Sequence, residues 1–352
     1  MVLVTGETQS TPGPGEVLSH LRGLPESDTP WDEPPEAAGV SFLARGEYSL
    51  NYLVQSGGSY SASYVARLVT GSQMGLALGE QAHYEHRALR LIRASGVTPE
   101  PYLVDPDPAG LPYPLIVEGY LPGRPLDYSS DLAAAARCVA DIHALPIPED
   151  HGLQVKPDPV PAALEESREL AAPYLRWEDA PRQSKETLAA GIERLQRIGD
   201  SGDLFAAGDL AVVNYDLNTH NFVVASGEAR LLDWEKARLS PAVEDLAHFL
   251  LPTTTLWRDE SAARLTRRQE REFVDEYVER AGVMDRARFE EQLQVASLAI
   301  ALRAVSWCAW ARQAHFRKER SASEEMLDKT ERYLKPEFLR GLLGLDREEE
   351  TA

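Results

Sequence analysis

The chain has 352 residues, with 36 Lys and Arg against 56 Asp and Glu, for a formal net charge of −20. That length implies two or three structural units, and 43% apolar with 26% charged residues excludes both a small stapled scaffold and wholesale disorder. So acidic a surface repels phosphate backbones and anionic lipid, which argues against nucleic acid and membrane as partners.

Residues 1–40 carry six Pro, five Gly and seven acids against one Arg. Segment 1–38 therefore reads as a loosely attached arm, with at most a short helix over 16–22. The apolar start at 1–4 is too short for a signal peptide and lacks a basic region. From Val40 to Val69 the pattern becomes β-like and predicts three antiparallel strands, near 41–43, 52–54 and 64–69, separated by turns at Gly46 and at Gly57 and Gly58.

A helix follows over 81–95, in which Glu85 shares a face with Ala88, Leu89 and Ile92. A carboxylate aimed with the apolar face needs a cationic partner, and Arg67, flanked in its strand by Val65 and Val69, is the best candidate. The plainer alternatives are a structural salt bridge or a Glu at the edge of the face. A strand at 115–117 comes next, and after Leu121-Pro122-Gly123 the composition turns helical. This shift divides the chain into a first unit, 39–121, a second, 122–345, and an acidic tail, 346–352.

Asp131 is placed to cap a helix running to His143, and further helices are expected near 162–175 and 185–198. Cys138 and Cys308 both fall in apolar, Ala-rich helical stretches and read as buried free thiols of a reducing compartment. The apolar segment 298–311 contains Arg303 and falls short of the ~18 residues that span a bilayer. A soluble cytoplasmic protein is expected.

Residues 212–235 carry the chemistry. Short strands deliver Asp216, Asn221 and Asp233 at their ends, around a turn at Ser226 and Gly227. Phosphoryl transfer needs a carboxylate near the attacking hydroxyl, plus a carboxylate and an amide as hard oxygen ligands for Mg²⁺. The three residues supply those functions in the order a kinase uses them; any one spacing alone is uninformative.

With that set in hand, the chain from about residue 42 to residue 249 resembles the aminoglycoside phosphotransferase and choline kinase family. The likeness rests on the Arg45-Gly46-Glu47-Tyr48-Ser49 loop, Arg67, Glu85, the connector from Val117 through Glu118, Gly119 and Tyr120 to Gly123, the Asp216 and Asn221 loop, Leu232-Asp233-Trp234-Glu235, and Glu244-Asp245-Leu246-Ala247. It implies an α+β, two-lobed, protein-kinase-like fold, with a small antiparallel β N-lobe and a larger, mostly helical C-lobe. It also implies ATP and Mg²⁺ as cofactors and transfer of the γ-phosphate to a hydroxyl of a small molecule, such as an aminoglycoside-like compound, an amino alcohol or a sugar metabolite.

In this likeness Asp216 is the catalytic aspartate, and Asn221 and Asp233 are the metal ligands. Arg67, held by Glu85, contacts the α- and β-phosphates. Backbone from Gly46 to Ser49 covers the phosphates, and backbone near Glu118 and Tyr120 receives adenine. Asp245 and Asn214 support the catalytic loop. About 70 residues lie between His143 and Asp216, and few separate Asp233 from the Ser240-Pro241 break, which favours a small acceptor over a peptide.

Three positions depart from the family pattern. Asn214 stands where His is usual, Arg67 where Lys is common, and the 45–49 loop has a single Gly. Asn214 hydrogen-bonds but cannot titrate, and a planar guanidinium replaces a point charge. These departures leave a nucleotide-binding, pseudokinase-like regulator as the alternative function. His143 and His220 read as a packed helix residue and a solvent-facing one. Trp307 and Trp310 read as core, or as an aromatic wall for a cationic acceptor. The acidity itself suits either a surface adapted as a whole, which the scarcity of Lys favours, or attraction of a cationic acceptor.

Overall fold

Alternation of apolar and polar residues after Val40 builds the sheet that the rest of the first unit is arranged on. The computed structural model describes residues 4–5, 11–31, 33–36, 39–56, 62–200, 204–205, 210–319 and 323–346. The expected turn at Gly57 and Gly58 and the tail from 347 onward lie outside the described residues. Two compact units emerge, one comprising Met1–Leu126, Asp141–Gln154 and His220–Arg238, the other Asp127–Ala140, Val155–Thr219 and Leu239–Ala352. An antiparallel β unit and a mostly helical one make the two-lobed α+β fold that the sequence implies.

In the first unit, β1 (Val4–Thr5) pairs with β5 (Gly71–Ser72). Five antiparallel strands, β2 (Val40–Arg45), β3 (Ser49–Gln55), β4 (Ser63–Val69), β6 (Pro101–Asp105) and β7 (Leu115–Gly119), form a sheet in the order β2-β3-β4-β7-β6. Period-two alternation sorts its side chains onto two faces. Leu50, Tyr52, Val54, Ala66, Leu68, Leu115 and Val117 line one face, where α1 (Pro14–Gly23) contributes Val17, Leu18 and Leu21. Val69 and Ile116 line the other, against Ala82 of α2 (Leu78–Ile92).

Among the first forty residues, those described are held more closely than the composition of the segment suggests. The short helix expected over 16–22 is α1, and Val17 and Leu21 are fully buried. Tyr64 donates a hydrogen bond to the Pro30 carbonyl at 3.0 Å, and its ring meets Trp31 edge-on. Tyr52 donates to the Pro12 carbonyl, and His20 approaches Asp105 at 3.1 Å. Pro and Gly counts conceal a stripe at 17, 18 and 21 that is enough to cover one side of the sheet.

A smaller sheet in the order β11-β10-β8 completes the unit, from β8 (Arg124–Pro125), β10 (Phe222–Ala225) and β11 (Glu228–Leu231). The β10–β11 hairpin closes at Ser226 and Gly227, both with positive φ, 53° and 82°, as a two-residue turn of this twist requires.

The second unit is built around α9 (Arg286–Phe316), which packs against α4 (Pro159–Leu175), α5 (Arg182–Asp200), α6 (Val243–Leu250), α10 (Glu324–Tyr333) and α11 (Pro336–Leu343). Helices α7 (Pro252–Thr255) and α8 (Arg267–Ala281) belong to it too, and β9 (Leu210–Val213) pairs with β12 (Arg238–Pro241). Helix α3 (Leu132–His143) begins after Asp131 as expected, and both cysteines are buried and free.

The segment read as too short for a membrane is part of a longer element. Helix α9 has 31 residues and is, among the described residues, the one helix long and apolar enough to cross a bilayer. Most of its apolar window is buried inside the unit, and Arg303 is neutralised there by Glu166 of α4, its Nε 2.6 Å from Oε2. A core helix surrounded by other helices meets the same compositional test as a membrane span.

Candidate functional site

On the first unit, β4 sets Arg67 opposite Asn51 and Ile116, on the sheet face that α2 covers. The guanidinium Nε lies 2.7 Å from Oε1 of Glu85, while Nη2 donates a 2.7 Å hydrogen bond to Oδ1 of Asp233 and lies 3.8 Å from Oε2 of Glu235. The expected Arg67–Glu85 partnership is therefore present. It is a close charge contact rather than an aligned hydrogen bond, and Oε2 of Glu85 is buried without a hydrogen-bond partner.

Four carboxyl groups surround this one cation. Burial pushes the Glu85 carboxyl well above its usual range, against the pull of Arg67. Burial likewise pushes Glu118 up to about 7, with Arg67 opposing and Asp233 adding to the rise. Burial alone would loosen the Arg67 proton, yet Glu85, Asp233, Glu118 and Glu235 together hold it more firmly than usual. Such an excess of acid over base suits a site that takes up a cation.

The hairpin brings the two expected metal ligands to one end. Phe222 pairs with Leu231, and the Leu232 amide donates to the Asn221 carbonyl at 2.7 Å, so Asn221 and Asp233 follow each other across the open end. Asp233 has φ 59°, a left-handed backbone uncommon for a non-glycine residue and typical of functional positions. The segment after it is anchored to the turn that follows β5 and to α2. Gln73 donates to Oε1 of Glu235 at 3.0 Å, Gln81 to the Glu235 carbonyl at 2.9 Å, and Tyr84 to the Ala237 carbonyl at 2.6 Å.

An amide and a carboxylate carried at the same end of one hairpin are hard oxygen donors of the kind Mg²⁺ uses when substrate phosphates complete its shell. Among the described residues no group of three or more His, Cys, Asp and Glu could hold a metal alone. His220 is exposed.

The loop at 46–49 is tight. The Gly46 amide donates to the Ser49 carbonyl at 2.9 Å, and Ser49 is buried with Oγ accepting from Asn51 at 3.2 Å. Tyr48 folds back on Gly71, where an added Cβ would come within 2.5 Å of the ring, so that approach requires glycine. In the connector, the Gly119 amide donates to the Glu100 carbonyl and the Tyr120 amide to the Ser63 carbonyl, at 2.8 and 3.1 Å.

On the second unit, the loop after β9 is braced by Asp245 of α6. Its carboxylate accepts from the Asn214 amide at 2.8 Å and the Tyr215 amide at 2.7 Å. Asn214 is fully buried, and its Oδ1 accepts from the Asp216 amide at 3.1 Å. Tyr215 has φ 63°, the left-handed turn that carries the chain into Asp216. The Asp216 side chain remains 28% exposed on a loop whose backbone is held from beneath.

Sequence reasoning overlooked two neighbours of Asp216. His248, three residues after Asp245 on α6, has its Nδ1 3.0 Å from the Leu217 carbonyl oxygen and its Nε2 4.0 Å from Oδ1 of Asp216. Arg303 lies over the Tyr215 ring, 5.7 Å from its centroid. The i, i+3 spacing from Asp245 and a lone charge in an apolar run were the available signals. Trp307 meets Trp257 edge-on at 5.8 Å, and Lys329 sits 6.0 Å over Trp257, so the chain already provides a cation for that aromatic group. His143 is half-buried at the end of α3.

Comparison with solved structures finds the same fold in small-molecule kinases. A candidate aminoglycoside phosphotransferase of Ralstonia eutropha superposes with a TM-score of 0.67 at 13% identity, covering 95% of this chain and 98% of that one. Spectinomycin phosphotransferase, solved with ADP and spectinomycin, gives 0.59 at 12% identity over 86% and 92% of the two chains. Choline kinase of Cryptosporidium parvum gives 0.56 at 12% identity over 95% and 97%. Curated protein sequences give no significant match. Residues 39–291, most of the chain, match the phosphotransferase enzyme family, and the chain belongs to that family.

Proposed function

We propose that this chain is an ATP-dependent phosphotransferase that moves the γ-phosphate to a hydroxyl group of a small molecule. Asp216 orients the acceptor hydroxyl and receives its proton. Asn221 and Asp233 hold Mg²⁺, which when bound neutralises the nucleotide phosphates. Arg67, braced by Glu85, contacts the α- and β-phosphates; backbone from Gly46 to Ser49 covers them, and the connector at Glu118 and Tyr120 meets adenine. Asn214 and Asp245 keep the Asp216 loop in shape.

The observation that carries this reading is the contact of one guanidinium with both Glu85 and Asp233. A phosphate-binding cation, its brace and a metal ligand are thereby joined in one cluster with acid in excess. Retention of Asp216, Asn221 and Asp233 favours catalysis over a purely regulatory role. The spectinomycin- and choline-directed neighbours support a small acceptor, and the short stretch between Asp233 and β12 leaves little chain for docking a peptide. A cytoplasmic location suits the free, buried Cys138 and Cys308. The test is a screen for ADP release against amino alcohols, sugars, aminoglycosides, homoserine, methylthioribose and fructosamines. Saturable release with one class is expected; ATP binding without release across the panel would favour the regulator instead.

A further inference from the structure

A carbonyl oxygen only accepts hydrogen bonds, so the contact of His248 Nδ1 with the Leu217 carbonyl at 3.0 Å places a proton on Nδ1 in both charge states of the ring. The neutral ring then presents the lone pair of Nε2 toward Oδ1 of Asp216, 4.0 Å away. The His248 side chain is 20% exposed, so the ring is within reach of water.

We propose that His248 takes the acceptor's proton from Asp216 and passes it to solvent, a role that rests on the phosphotransfer reading above. In the transfer, the bond from the acceptor oxygen to the γ-phosphorus forms and the bond from that phosphorus to the β,γ-bridging oxygen breaks. The hydroxyl proton goes to the Asp216 carboxylate. Nε2 of His248 then removes it, restoring the carboxylate, and the imidazolium loses it to water, so the turnover releases one proton. A bridging water or a change of side-chain torsion closes the 4.0 Å gap, as is common for catalytic pairs without substrate.

Among the described residues, charged and titratable groups near the ring lie on the Asp216 loop, on α6 and on α9. Asp216 and Tyr215, the latter with its ring centroid 6.5 Å away, belong to the loop, and Arg303 of α9 lies over Tyr215. Glu244 and Asp245 occupy the preceding turn of α6, with Asp245 engaged by the Asn214 and Tyr215 amides. The carboxylates favour the imidazolium, and Arg303 opposes it.

The test is ¹⁵N NMR of the full chain labelled at histidine, with the His248 signals assigned by their loss in His248→Asn. A neutral ring protonated at Nδ1 is expected, with a titration midpoint that falls in Asp216→Asn. A neutral ring protonated at Nε2, or a midpoint indifferent to Asp216→Asn, overturns the role. In the ADP-release assay His248→Asn still offers an N–H to Leu217 but cannot accept the proton. Turnover at pH 7 should fall roughly tenfold, with little change in KM and loss of the acid limb of the pH profile. An unchanged rate and profile overturns the role even if the NMR agrees. Full turnover in Asp216→Ala would remove Asp216 as the catalytic group and this role with it, whereas no acceptor-dependent ADP release from the wild type would remove the phosphotransfer reading itself.

Discussion

Arg67 donates to Asp233 at 2.7 Å across 166 positions of sequence, while the same guanidinium rests against Glu85 on α2. A single cation thereby holds together a strand, a helix and the hairpin that carries Asn221 and Asp233. The arrangement is asymmetric, because removing the cation strands four acids, whereas removing one acid leaves the cation with partners.

Arg67→Met should accordingly cost more stability than Glu85→Gln. Leaving buried carboxylates uncompensated costs about 3–5 kcal/mol, against about 1–2 kcal/mol for the loss of one charge contact among several. Urea unfolding at pH 7 measures both, and equal losses would contradict the hub role of Arg67.

Glu118 makes stability depend on pH. Its carboxyl is pushed up to about 7 by burial, above its value in the unfolded chain, so the folded state holds the proton more tightly. The contribution is complete below the unfolded pKa of about 4.3 and is lost as pH rises through about 7. Unfolding free energy should drop by roughly 1–2 kcal/mol over that interval, allowing for solvent at the edge of the group. Glu118→Gln should flatten the slope; an identical slope in the variant would assign it to other groups.

Asp233→Asn keeps a residue that tolerates the left-handed backbone and removes the charge proposed to bind the metal. Thermal stabilisation by Mg·ATP should shrink in this variant, while stabilisation by Mg-free nucleotide changes less. Parallel loss of both would mean that Asp233 acts through Arg67 and the hairpin rather than through the metal.

A chain that starts at residue 39 should be markedly less stable, because Val17, Leu18, Leu21 and Trp31 leave one face of the sheet uncovered. Each such side chain contributes about 1.5–3 kcal/mol when fully buried. An unchanged melting temperature would show that α1 is dispensable to the core.

Much of the candidate site was legible where local pattern decides it. Glu85 betrays itself by sharing spacing with Ala88, Leu89 and Ile92, and Arg67 by sitting between Val65 and Val69 in a buried strand. Asp216, Asn221 and Asp233 are readable as an ordered set because their strands are short and their turn residues plain. Contacts made by packing distant elements are another matter. Nothing in the order of residues indicates that Asp233 and Glu235 share the cation of Glu85, or that α6 and α9 bring His248 and Arg303 to the Asp216 loop. The burial of α1 was hidden by its Pro, Gly and acidic surroundings, and the length of α9 by Arg303, whose charge Glu166 offsets.

The proposed activity is acceptor-dependent phosphoryl transfer with Asp216 as its catalytic group. ADP release from Mg·ATP, measured across the acceptor panel for the wild-type chain and for Asp216→Ala, tests it most directly. Saturable, acceptor-dependent release by the wild type is expected, with a fall of roughly 10²–10⁴ in a folded Asp216→Ala variant. Equal release by the two proteins, or none from the wild type with any acceptor, would contradict it.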